Sequence, residues 1–203
     1  MIDLERLAQA QQAIVDAGET LYRAGQVPAT GGNFSLRLDE SHMAVTASGC
    51  HKGRLTPADI LVTDLEAIPL EPHRKPSAEA LLHGRLYADR PRTGAVLHTH
   101  SKAATLLSLI EPGKTLWLSG YELLKALEGV ASHDERVAIP IFDNTQDMRA
   151  LADQVGERLA HEASVAYLIR GHGLYTWATD MKACLRQVEA LDFLFDCELF
   201  LRR

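Results

Sequence analysis

The stretch GAVLHTHSKAATLLSL, Gly94–Leu109, passes from a turn residue through a short apolar run onto two histidines, then into helix-forming residues. TGAVLHT reads as a β-strand and SKAATLLSLI as a helix. Side chains alternate faces along a strand, so residues two apart point the same way. His98 and His100 should therefore project together from one strand end. Such a pair suits a metal ion and suits a hydrophobic core poorly. The spacing by itself fits equally well with two solvated histidines.

The flanking sequence supplies the rest of a sheet and its cover. Leu4, Leu7, Ile14 and Leu21 recur at helical spacing, with Gly25 as a stop. NFSLRL, HMAVTAS and DILVTDL read as three strands. KPSAEALLHGRLYADR predicts a helix with Ser77 as its N-cap and Leu81, Leu82 and Leu86 as apolar positions. Further on come a short helix around YELLKAL, a strand RVAIPIF, and an amphipathic helix carrying Met148, Leu151, Val155 and Leu159 on one side. SVAYLIRGHGLYTWAT predicts two strands around a tight RGHG turn. A last helix begins near Thr179, with Met181, Leu185, Val188, Leu191 and Phe195 as its stripe. These elements follow no regular βαβ rhythm, which points to a mixed α/β sheet covered by helices.

The 203 residues suit one domain spanning 1–203, and 46% hydrophobic with 24% charged residues is ordinary globular composition. A net charge of −6 argues against a nucleic-acid partner. MIDLERLAQAQQ lacks the apolar core of a signal peptide, and no run approaches membrane-spanning length. Cys50, Cys184 and Cys197 are odd in number and unevenly spaced, so a disulfide framework is not expected and a reducing cytoplasm is.

Of nine histidines, His42, His51, His73, His83, His133 and His161 sit in polar or loop-like sequence and call for no ligand role. His172 differs, because Gly171 and Gly173 on either side permit unusual dihedrals and close approach of another group. His98, His100 and His172 together make three imidazoles without a cysteine pair, the donor set of an open, catalytic zinc site. Thr30, Gly31, Gly32, Asn33 and Ser35 form one cluster of anion donors, and Ser48, Gly49 and Lys52 a second. Ser77 at a helix start is a third. Three such clusters in an acidic chain suggest a phosphorylated small molecule. Glu79 reads as compensation of a helix dipole and Glu122 as part of a solvated helix face; spacing lifts neither above that.

GGNFS, PSAE, HTHS and RGHGLYTWA, in this order, resemble the class II aldolase/adducin family over nearly the whole chain. The resemblance implies a class II aldolase-like fold, a central and mostly antiparallel mixed sheet covered by helices. It implies one zinc ion per subunit on His98, His100 and His172. It places the substrate phosphate on Gly32, Asn33, Ser48 and Gly49, with Lys52 and Ser77 beside them. YELLKALEG, VAIPIFDNTQDM and LIRGHGLYTWATDMKACLRQVEALDFLFD resemble one branch in particular, dehydratases that remove water from a methylthio-bearing ketose phosphate in methionine salvage. That branch implies Glu122 as acid/base, whereas the aldolases use the Glu of the PSAE-like segment, Glu79 here. In animal members of the branch a Cys stands at the Glu79 position. Alternatives are a zinc sugar-phosphate aldolase or epimerase, and a non-catalytic interaction domain like the adducin head. A homotetramer without membrane or nucleic-acid partners is implied as well.

Overall fold

The computed structural model describes residues 2–202. Helix α1 (Leu4–Arg23) starts where the Asp3 carboxylate accepts the Glu5 and Arg6 N–H groups, and it buries Ile14 and Leu21. Strands β1 (Asn33–Arg37), β2 (His42–Thr46) and β3 (Ile60–Asp64) follow, then α2 (Ala80–Asp89), β4 (Ala95–Thr99) and α3 (Lys102–Ile110). β5 (Thr115–Leu118), β6 (Val137–Phe142), α4 (Met148–His161), β7 (Ala166–Ile169), β8 (Gly173–Ala178) and α5 (Met181–Leu201) complete the order.

The eight strands form one sheet in the order β3-β2-β1-β4-β8-β7-β6-β5. Every neighbouring pair is antiparallel except β6 and β7. Those two are joined by α4, and a parallel pair needs such a crossover. The expected mixed, mostly antiparallel sheet is what forms. Helices α2 and α4 cover one face, over Val96, Tyr167, Tyr175 and Trp177. Helices α1, α3 and α5 cover the other, over Phe34, Leu97, Leu168 and Leu174.

The short helix expected at YELLKAL is present as a 3₁₀ helix over Glu122–Ala126. Two local readings need correction. β5 lies outside the expected elements; it is an edge strand of four residues that buries Leu116 and Leu118 and leaves Trp117 exposed, and because Trp117 is itself apolar the alternation is hidden in the sequence. Ser77 does not cap α2, which begins at Ala80 with Glu79 at the N-cap position. Pro76 is bridged to Ala47, and the Ser77 N–H donates to Thr46 O, so this segment is still tied to the end of β2.

Candidate active site

Register builds the site. Asn33 on β1 pairs with His98 on β4, His98 with Tyr175 on β8, and Tyr175 with Tyr167 on β7. This row crosses the sheet beneath α2 and α4. The His98 ring stacks on Tyr175 at 4.0 Å between centroids, and Tyr175 on Tyr167 at 4.8 Å. His98 Nδ1 lies 2.9 Å from the Leu174 carbonyl, to which it donates, leaving Nε2 with its lone pair. Burial, then the neighbouring His100 and His172, hold its pKa well below the usual histidine value.

His100 follows the last residue of β4, and its N–H donates to Gln26 O. Burial and the proximity of His172 lower its pKa to about 4. His172 arrives in the β7–β8 turn. There Gly171 takes a left-handed φ of 67°, and a side chain at Gly173 would meet Thr99 O at 2.0 Å. The turn thus packs against the end of β4, and the three rings meet. Their Nε2 atoms lie 2.8 Å (His98–His100), 3.2 Å (His98–His172) and 3.2 Å (His100–His172) apart. Ligands of a tetrahedral zinc at its usual bond length would be about 3.3 Å apart. Uncharged imidazoles aimed at one point repel through their lone pairs unless a cation lies among them, so the donor set fits a divalent metal.

Glu79 stands over this cluster. Its Oε1 is 3.2 Å from His172 Nε2 and its Oε2 3.3 Å from His98 Nε2. Oε2 also accepts from Asn33 Nδ2 at 2.7 Å and from Tyr175 Oη at 2.9 Å. Burial and Glu79 push the Tyr175 hydroxyl well above the ordinary tyrosine range, so it remains a donor.

A cavity of about 240 Å³ opens beside the imidazoles. Gly32, Asn33, Ser48, Gly49, Lys52 and Ser77 all line it, together with Glu79, His100 and His172. Lys52 is buried, donates to Thr30 O and Cys50 O, and has its pKa lowered by that burial. Gln146 and Met148, at the start of α4, also line the cavity, and nothing in their spacing marks them as site residues. Glu122 is not among the lining residues: it is exposed, pairs with Lys125, and that contact lowers its pKa. A larger cleft of about 570 Å³, by Arg90, Arg92 and Trp177, lies at the opposite end of β8.

His83 needs a different description from its sequence context. It lies on α2, fully buried, between Ser35 and Asn33. The signal that could have found it is Glu79, His83 and Tyr87 at intervals of four along one helix face.

The sequence profile described as the class II aldolase and adducin N-terminal domain matches residues 12–199. The chain belongs to this family. Two relatives named methylthioribulose-1-phosphate dehydratase span almost the full length. The one from Marinobacter nauticus is 51% identical over 201 residues, 98% of this chain and 97% of the relative. The one from Pseudomonas fluorescens is 55% identical over 192 residues, 94% of this chain and 92% of the relative. Among solved structures, L-fuculose-1-phosphate aldolase from Thermus thermophilus is 27% identical with a TM-score of 0.77, spanning 97% of this chain and 96% of its own. YgbL from Klebsiella pneumoniae is 22% identical with a TM-score of 0.82, over 96% of this chain and 90% of its own, and shares the class II aldolase fold. Among the described residues no helix is long and apolar enough to cross a membrane.

Proposed function

We propose that this chain is a single-domain, zinc-dependent dehydratase of methionine salvage. It converts 5-methylthioribulose 1-phosphate to 2,3-diketo-5-methylthiopentyl 1-phosphate and water. The observation that carries the reading is identity above 50% to dehydratases of that name over almost the whole chain, with three converging imidazoles retained. His98, His100 and His172 would hold the zinc ion. When bound, it supplies Lewis-acid polarisation of the C2 carbonyl and the adjoining C3 hydroxyl.

The chain's own groups do the rest. Gly32, Ser48, Gly49 and Ser77, with Lys52 behind them, anchor the phosphate. Asn33, expected there too, has its amide committed to Glu79 and His83 and serves the carboxylate first. Met148 gives the cavity an apolar wall suited to the methylthio group. A carboxylate takes the C3 proton, the C4 hydroxyl leaves as water with a returned proton, and the enol so formed becomes the second ketone.

Glu79 and Glu122 share that proton work. Glu79 stands in its own chain's cavity. Glu122 does not line it, so its acid/base role requires delivery from a neighbouring copy in a cytoplasmic homotetramer. Exposed Leu106, Leu109 and Ile110 on α3 support self-association. Aldolase chemistry is the second reading, favoured by the placement of Glu79 beside the imidazoles. Incubation with 5-methylthioribulose 1-phosphate decides between them: diketone phosphate is expected, and aldehyde release would establish the aldolase.

A further inference from the structure

His83 is fully buried and takes no part in the chemistry above. Its Nδ1 is 2.7 Å from Ser35 Oγ, and its Nε2 contacts Asn33 Oδ1. Ser35 Oγ is in turn 2.9 Å from Tyr87 Oη. Asn33 and Ser35 are two apart on β1 and share the face under α2, so one imidazole spans both.

The direction of every bond in this chain follows from its last member. A carboxylate only accepts hydrogen bonds, so Asn33 donates from Nδ2 to Glu79 Oε2 and turns Oδ1 toward His83. An amide oxygen also only accepts, so His83 Nε2 carries the proton. Burial keeps the ring neutral, with its pKa lowered to about 3. Nδ1 is therefore bare and accepts from the Ser35 hydroxyl. Having given its proton, Ser35 Oγ accepts that of Tyr87. Reversing any one bond leaves a buried donor or acceptor unpaired.

We propose that His83 is a positioning residue, fixed in its Nε2-protonated tautomer, which locks the Asn33 amide in the one orientation that can hold Glu79 Oε2. Asn33 and Tyr175 together pin that oxygen. Oε1, facing His172, is left as the oxygen that meets substrate. A flipped Asn33 would set its own oxygen against the carboxylate and turn Glu79 out of line. The role in turnover rests on the dehydratase reading, whereas the tautomer does not.

Two measurements test this. In protein carrying ¹⁵N-histidine, long-range ¹H–¹⁵N spectra of the unsubstituted chain, metal-free and zinc-loaded, should show His83 with Nε2 protonated and Nδ1 bare. The resonance is assigned through its contacts to Asn33 and to the Tyr175 ring, which it meets edge-on at 5.7 Å between centroids. A ring protonated at Nδ1, or at both nitrogens, overturns the proposal, and no variant has to fold to obtain this result. The second compares His83→Gln with His83→Asn at matched zinc content. Only the Gln amide nitrogen reaches the place of Nε2, so H83Q should retain most of kcat. H83N should lose roughly tenfold to a hundredfold in kcat with little change in KM. H83N turning over like the unsubstituted enzyme overturns the positioning role. Absence of diketone formation by the unsubstituted chain would remove the proposed reaction and leave the tautomer result standing.

Discussion

At the scale of single residues, the site is governed by which atoms remain free. His172 Nδ1 is buried and has no hydrogen-bond partner among the described residues, so the ring is held by its Nε2 side and by the turn that carries it. Replacing His172 by Ala should strip most zinc, read by metal analysis after dialysis; full occupancy would discard the three-histidine site. Asn33→Ala should lower kcat more than it raises KM, because the side chain serves Glu79 before it serves the phosphate. A rise in KM alone would return Asn33 to the phosphate. Glu79 and Glu122 are separated by Glu→Gln substitution, each at matched zinc. Loss of a general acid/base commonly costs on the order of a hundredfold to ten-thousandfold. Both variants are expected to fall in that range, and normal turnover in either would remove that residue from the proton transfer.

At the scale of elements, the contact between the β8 turn and the end of β4 decides whether the imidazoles meet. Gly173 abuts the Thr99 carbonyl so closely that a methyl group would force the two strands apart. Gly173→Ala should therefore destabilise by roughly 1–3 kcal/mol as an overpacking change, and weaken zinc binding with it. Gly129, with φ of 81° and, among the described residues, no atom beyond its chain neighbours within 4 Å of an added Cβ, is the comparison. Gly129→Ala should cost about 1–2 kcal/mol through backbone strain and leave zinc affinity unchanged. Denaturant midpoints and zinc titration of both variants check this. Equal zinc affinity in the two would mean that the turn does not set the geometry of the site.

At the scale of the whole molecule, burial of His83 couples protonation to folding. The folded ring has its pKa lowered to about 3 from 6.5, so between these values the unfolded chain binds more protons. The resulting stability is present above pH 6.5 and is lost as pH falls toward about 3. Urea midpoints should decline across that window, with a shallower decline in H83Q. Delivery of Glu122 across a subunit boundary is testable at the same scale. E122Q and H98A chains, each inactive alone, should recover activity when refolded together, since mixed assemblies pair an intact metal site with an intact Glu122. No recovery would confine Glu122 to its own chain or remove it from the mechanism.

Patterning in the sequence determined most of the framework and marked the three histidines that converge in the fold. His98 and His100, two apart at a strand end, and His172 between glycines were legible because strand periodicity and glycine backbone freedom act locally. The short strand β5 was not, since Trp117 on its exposed face is as apolar as the leucines it alternates with. Tertiary structure alone decided that Asn33, His98 and Tyr175 form one row, because register depends on pairing between strands distant in sequence. It alone turned His83, unremarkable in its sequence context, into the link between Ser35 and Asn33. Whether a histidine is solvated or buried in a hydrogen-bonded network depends on what packs over it, and that is not written in its neighbours along the chain.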